Sequence, residues 1–318
     1  MKFATIGHFI DKSHMENLPK HWVHKDLIFS PELNINGTKG HIAGLKLTAK
    51  QMMSLPQEEI RQRILDAAIF VQDELSVDLV QLGALTTSVT SGGVWLANQK
   101  EYRGFVNHGD SYTAAITCQT VNKALSMLEK KSSNLILSVI GAYGIIGEAV
   151  SKILVPQFKH SILIGRRENK LKEIEVKLKG NFETSTDIKT NNADVIVTAT
   201  SHPTALLNSK NLKKKAIIVD VSQPPNLSYN VCKKRSDIIR IDGGYVDFPI
   251  KYNMPVPGMP SGKLYACIVE VIIQAMENEN KHHIGAIELK HLKKTESWAE
   301  KYGFTIKNLT NFGIDIKR

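Results

Sequence analysis

Val139-Ile140-Gly141-Ala142-Tyr143-Gly144-Ile145-Ile146-Gly147-Glu148-Ala149-Val150 sets three glycines three residues apart between an apolar strand and an amphipathic helix. Glycine in such a place serves a tight turn, close backbone approach to a pyrophosphate, and packing of helix on strand. The helix N-terminus adds free N–H donors. The spacing, G-x-x-G-x-x-G, is a variant of the commoner G-x-G-x-x-G.

Outward from this loop, short apolar runs alternate with polar helical stretches: Leu135 to Ile140, Ser161 to Ile164, Val195 to Thr198, Ala216 to Val219 and Ile238 to Ile241. Strands of four to six apolar residues separated by crossover-length segments imply parallel βαβ units covered on both faces. The fold class expected is α/β, a Rossmann-type doubly wound parallel sheet.

About 20 residues beyond the glycines, where an NAD-binding chain usually offers Asp or Glu to the ribose 2′-hydroxyl, this one has Gly165-Arg166-Arg167. Two guanidinium groups suit a 2′-phosphate, because the planar fork binds phosphate in a bidentate manner. The expected cofactor is therefore NADPH. The residues assigned to it are Gly141, Tyr143, Gly144, Ile145, Ile146, Gly147, Arg166 and Arg167, with Thr198, Ala199 and Thr200 at a strand's carboxyl end, where ligands of open α/β sheets lie. Val219 to Asn226 ends the next strand and reads equally well as a turn.

Before the loop, short strands at Phe3 to Ile6, His41 to Leu47 and Val77 to Leu82 accompany a helix with Ser54 as its cap and Ile60, Ile64, Ala67, Ala68 and Val71 at helical spacing. A second helix runs from Asp110 or Ser111 to Leu128, and the polar run Glu129 to Asn134 after it reads as a domain boundary. After the loop, four prolines make Tyr245 to Gly262 irregular, and Leu264 to Ala275 is strongly helical. The organisation expected is an N-terminal α/β substrate domain over 1–131, the nucleotide-binding domain over 132–258, and a C-terminal helical segment over 259–318.

With 318 residues, 42% hydrophobic and 23% charged, the chain has a globular composition. Its longest nearly apolar stretch, Leu135 to Ile146, falls short of the roughly 18–20 residues that cross a bilayer, so no membrane span is expected. Met1 to Gly7 lacks the features of a secretory signal, which makes the cytoplasm the expected compartment. Cys118, Cys232 and Cys267 are too dispersed for a disulfide framework or a structural zinc, and no metal is expected. The 41 Lys and Arg against 31 Asp and Glu leave a net charge of +10, a field that attracts anionic partners. No helix-turn-helix, zinc finger or aromatic RNA-binding motif accompanies it, so no nucleic-acid partner is expected.

Cys267 sits just inside the helix after the proline-rich loop, on a stripe with Leu264, Ile268 and Val271. Periodicity alone makes it a core cysteine, and position alone does not choose among the three thiols.

Ile6-Gly7-His8, Gln81-Leu82-Gly83, Gly109-Asp110-Ser111-Tyr112-Thr113-Ala114, the loop at 141–147, Pro260-Ser261 and Tyr265-Ala266-Cys267 occur in that order over nearly the whole chain. In this the chain resembles the long-chain acyl-[acyl carrier protein] reductases of cyanobacteria. It departs from them where Tyr143-Gly144-Ile145 replaces Thr-Gly-Asp, where Tyr112 replaces a frequent His, and where Ser222-Gln223-Pro224 replaces a glycine-rich turn.

The resemblance implies that Cys267 is an acylated nucleophile, that the acyl donor is acyl carrier protein or acyl-CoA, and that the product is a fatty aldehyde, with an aldehyde-consuming enzyme as a partner. A thiolate is the reactive form, so positive charge or helix N-terminal N–H groups are expected near it, and Lys263 stands one turn earlier. His8, His108, Ser111 and Tyr112 are candidate substrate residues; His8, His108 and Ser111 are also candidates for donors to a developing oxyanion. Lys213, Lys214, Lys215, Lys233, Lys234 and Arg235 are candidates for docking an acidic carrier.

Alternatives remain. Thr198-Ala199-Thr200-Ser201 and Asp220-Val221 also suit a glutamyl-tRNA reductase-like or shikimate dehydrogenase-like NADP-dependent oxidoreductase, or more weakly an amino-acid dehydrogenase. A non-catalytic NADPH-sensing or nucleic-acid-binding protein rests on the basic charge alone.

Overall fold

Residues 1–202, 204–249 and 254–316 are described by a computed structural model. The chain divides into two units, one of residues 1–112 with 247–305, the other of 113–246 with 306–318.

In the second unit six strands run parallel in the spatial order Phe182–Ser185, His160–Ile164, Ile136–Ile140, Val195–Thr198, Ile217–Asp220, Ile239–Asp242. In chain order that is 3-2-1-4-5-6, the doubly wound arrangement, and the order reverses beside Ile136–Ile140. Val195 to Val197 are all buried, as strands covered on both faces should be. Five of these strands lie where the apolar runs predict them, within a residue or so. The sixth, Phe182–Ser185, is an edge strand with one large apolar residue and has no such run.

The first unit is built on a seven-stranded mixed sheet. Phe3–Phe9, Leu79–Leu82 and Phe105–Asn107 run parallel to Thr38–Thr48, which also carries antiparallel Leu27–Phe29 and Leu33–Ile35. Helix Gln57–Asp73 buries Ile60, Ile64, Leu65, Ala67, Ala68 and Val71 against this sheet. Full burial of each large aliphatic side chain contributes about 1.5–3 kcal/mol of transfer free energy. Ser54 does not cap that helix. It ends the preceding helix Ala49–Ser54, whose cap is Thr48 in a reciprocal pair with Gln51, and Pro56 holds the N-cap position instead.

Three further expectations change. The unit boundary falls inside the first turn of helix Asp110–Met127, not in the polar run 129–134. Most of that helix is held by the second unit: Thr117 Oγ1 donates to Gly243 O at 3.1 Å and Lys123 Nζ to Ile306 O at 2.8 Å. Residues 247–305 belong with the N-terminal sheet rather than to a separate segment over 259–318, because helix Ala266–Met276 packs on strands Phe3–Phe9 and Leu79–Leu82. Within the proline-rich stretch, Tyr245–Asp247 is a short strand, and 250–253 lie outside the described residues.

Candidate active site

The glycine loop follows strand Ile136–Ile140. Gly141 has φ +87°, and a Cβ there would drive into the backbone carbonyl of Ala199. Its N–H and that of Ala142 donate to Ile164 O at 2.9 and 3.1 Å, which ties the loop to the next strand. Gly144 is the N-cap of helix Ile145–Leu154 and no side chain caps it. A Cβ on Gly147 would run into the carbonyl of Gly141, so loop and helix touch backbone to backbone. A bare helix N-terminus beside a cradle that only glycine leaves open fits a pyrophosphate.

The Tyr143 ring lies directly against the backbone of Gly165, and the Arg167 guanidinium stands 5.2 Å over that ring. Arg166 and Arg167 are both exposed, and among the described residues neither forms an ion pair with a carboxylate. Two uncommitted guanidinium groups at the end of the second strand fit a 2′-phosphate.

Thr198 is fully buried and its hydroxyl donates to Asp220 Oδ1 at 2.6 Å, so its side chain braces the loop from below. Ala199 and Thr200 are half-buried. The Thr200 N–H donates to Ser222 Oγ at 3.0 Å and its hydroxyl to Asn226 Oδ1 at 2.7 Å. The turn at 222–226 is thus part of the same hydrogen-bonded floor.

Of the basic residues, Lys213 pairs with Asp194 at 2.5 Å and Arg235 with Asp237 at 2.7 Å. Lys214, Lys215, Lys233 and Lys234 remain as exposed charges.

In the first unit a second cluster surrounds Cys267, the second residue of helix Ala266–Met276. A Cβ on Gly109, whose φ is +72°, would fall 2.6 Å from Cys267 Cα, so the segment opening helix Asp110–Met127 lies flat against the cysteine. Asn107 Nδ2 donates to Gln274 Oε1 at 2.7 Å and locks the two segments together. One turn beyond Cys267, fully buried Glu270 accepts the Tyr112 N–H at 2.7 Å and faces His291 Nε2 at 3.2 Å. His108 accepts the Asp110 N–H on Nδ1 at 2.9 Å.

The electrostatics differ from expectation. Burial pushes the Cys267 thiol up to about 12, and the Asp110 and Glu270 carboxylates add to the effect. Lys263 does not offset this, because its ammonium is 2.8 Å from Asp247 and is spent there. Burial and Glu270 raise the Asp110 carboxyl well above its ordinary range. Burial works against the charge on Glu270, but His291, His108 and the Tyr112 N–H together hold it below its ordinary value. Burial lowers His108 to about 4, so it is neutral at physiological pH. The resting cluster is a thiol, a raised carboxyl and one buried carboxylate.

Of the other predicted residues, His108 and Ser111 line a polar cavity of about 30 Å³ with Glu288 and His291. Tyr112 is fully buried and contributes its backbone N–H to Glu270. The His8 ring is held by Phe9 O at 2.9 Å through Nδ1, which leaves Nε2 buried and without a partner among the described residues. Sequence reasoning passed over Asp110, Glu270 and His291 as site residues. A carboxylate in the mostly apolar run Ala266–Met276 was the one visible signal.

The family model of shikimate / quinate 5-dehydrogenase matches residues 122–243, the nucleotide-binding part of the chain. That match takes in the glycine loop and all six parallel strands whole, the part that carries the nucleotide-binding features described above. The Arg166-Arg167 pair at the end of the second strand suits NADP(H) as the cofactor, in keeping with that family. The chain is 25% identical over 230 residues to the long-chain acyl-[acyl-carrier-protein] reductase of Synechococcus elongatus, covering 68% of this chain and 66% of that protein. It is 22% identical over 291 residues to the aminotransferase PigE of a Serratia strain, covering 88% of this chain and 34% of that protein. The chain thus spans about a third of one relative and about two thirds of the other. Among solved structures, shikimate dehydrogenase from Aquifex aeolicus is similar with a TM-score of 0.42 and 14% identity, over 93% of this chain and 97% of that one. Among the described residues, no helix is long and apolar enough to cross a membrane.

Proposed function

We propose that this protein is an NADPH-dependent oxidoreductase that reduces a fatty acyl thioester, carried by acyl carrier protein or CoA, to a fatty aldehyde through an acyl group held on Cys267. The observation that carries the reading is the packing of Cys267 on Gly109, at the opening turns of two helices and beside the carboxyls of Asp110 and Glu270.

In this mechanism Cys267 Sγ attacks the thioester carbonyl and the carrier thiol leaves. The thiol proton of Cys267 has to be taken up, and the raised Asp110 carboxyl, in its ionised form, is the adjacent acceptor. Backbone N–H groups of the opening turns are the donors for the oxyanion. Bound NADPH supplies the hydride that converts the acyl thioester to aldehyde. Cys267 is then released as the leaving sulfur and regains a proton.

The weak sequence similarity to the Synechococcus reductase and the ordered matches around Cys267 support this substrate class. Exposed Lys214, Lys215, Lys233 and Lys234 suit an acidic carrier. The second reading, a dehydrogenase of a small metabolite, draws on the family match over 122–243 and needs no thiol.

Intact-mass spectrometry of the wild type and Cys267→Ser after incubation with acyl-[acyl carrier protein], then with NADPH, separates the two. The expected result is an acyl adduct on the wild type only, discharged as aldehyde by NADPH. NADPH-dependent turnover of another substrate with no adduct would move the assignment to the dehydrogenase reading.

A further inference from the structure

The segment that follows the cysteine helix carries Glu279 and His283, used by neither the nucleotide loop nor the Cys267 cluster, beside His291, the partner of Glu270. Glu279, His283 and His291 each offer one ligand atom, and those atoms lie within 4.8 Å of one another. Glu279 Oε2 and His283 Nε2 are 2.8 Å apart, and the rings of His283 and His291 stack with centroids 3.4 Å apart and planes at 8°. Two ligands held at about 2.0–2.2 Å from one small divalent ion stand roughly 3–3.4 Å apart, so the three atoms are close enough to share an ion once one of the stacked rings turns.

We propose that Glu279, His283 and His291 bind one divalent transition-metal ion of the zinc class. Two imidazoles and one carboxylate suit zinc, cobalt or ferrous iron, whereas magnesium and calcium prefer sets made of oxygen alone.

The parts around the cluster are those a metal site uses. His283 is fixed through its backbone: its N–H donates to Val106 O at 2.8 Å, and its carbonyl accepts the His108 N–H at 3.0 Å, as an added strand on Phe105–Asn107. His291 rides on helix Leu289–Lys301, and Glu270 takes its Nε2–H at 3.2 Å, which leaves Nδ1 as its ligand atom. A buried carboxylate behind a ligating imidazole fixes the tautomer and raises ligand basicity. Lys294 Nζ holds Glu279 Oε1 at 2.6 Å, so the ion would take Oε2. The cavity of about 30 Å³ beside His283 and His291, lined also by Ser111 and Glu288, has room for about one water as a further ligand.

Binding replaces the hydrogen bond between Glu279 and His283 with the ion, and the His283 ring then carries its proton on Nδ1 instead of Nε2. It also requires one ring of the stack to turn until both lone pairs converge. The competing account, two imidazole–carboxylate pairs stacked without an ion, predicts neither event.

The test is titration of the chelator-treated full chain with Co²⁺, read by visible d–d absorption, then displacement by Zn²⁺ and metal analysis after dialysis. One equivalent of Co²⁺ is expected, displaced by Zn²⁺ and not by Mg²⁺. Glu279→Gln and His283→Gln are each expected to weaken binding by at least about tenfold, with the circular dichroism of the metal-free wild type retained. Should His283→Gln fail to fold, Glu279→Gln, a change of one atom at a part-exposed residue, decides alone. Absence of stoichiometric Co²⁺ binding overturns the proposal. So does binding that Glu279→Gln leaves unchanged, which would place the ion at other histidines.

Discussion

Gly109 and Cys267 are in backbone contact: a Cβ on the glycine would lie 2.6 Å from the cysteine Cα and 2.7 Å from its carbonyl oxygen. The glycine also has φ +72°, so both the conformation and the contact exclude a side chain. Gly109→Ala is expected to cost about 1–3 kcal/mol in denaturant unfolding and to lower acylation of Cys267. An alanine variant of unchanged stability and adduct yield would show that the contact is not required.

Alkylation of Cys267 should follow its raised pKa. With the thiol at about 12, the iodoacetamide rate at this residue, resolved by peptide mass, is expected to climb about tenfold per pH unit from about pH 7 to 10 without a plateau. The sign for stability follows from the same shift. The folded value lies above the unfolded one of about 8.5, so the stabilisation is complete below that pH and is lost as pH rises toward about 12. A plateau in the rate near the unfolded value would mark an ordinary thiol.

Arg166→Ala and Arg167→Ala should each raise KM for NADPH by about 10–100-fold, the loss expected for a charge-assisted bond, and leave KM for NADH nearly unchanged. Arg167 also covers the Tyr143 ring, so its removal should perturb tyrosine fluorescence as well. Equal losses for both nucleotides would remove the 2′-phosphate from the account of these residues.

Thr198→Val tests the floor beneath the loop. The buried hydroxyl is one of the groups satisfying Asp220, which also takes the Leu227 N–H at 3.1 Å and faces Arg240 Nε at 3.3 Å. Leaving a buried carboxylate short of a donor costs about 1–3 kcal/mol. Stability should fall by that amount while the preference for NADPH over NADH is kept. A changed preference with unchanged stability would put Thr198 against the cofactor instead.

The doubly wound unit was legible because its strands are buried on both faces and so appear as unbroken apolar runs, as in Val195–Thr198. Phe182–Ser185, at the sheet edge, needs no such run and was missed. The glycines of the loop could be read one by one, since each answers a local backbone demand. The surroundings of Cys267 could not. Gly109, Asp110, Glu270 and His291 come from three stretches of chain that only the folded sheet brings together. Lys263 shows the opposite error: one turn away along the sequence, it points to Asp247.

The interleaving of the two units bears on how the protein is made. A ribosome releases the sheet strands Phe3–Phe9, Thr38–Thr48, Leu79–Leu82 and Phe105–Asn107 early, but the helix that covers them, Ala266–Met276, emerges only after the whole stretch 113–246. During that interval the nascent chain holds an apolar sheet face without its cover, for about 7–30 s at roughly 5–20 residues per second. Translation speed and chaperone supply should therefore govern the yield of the first unit more than that of the second.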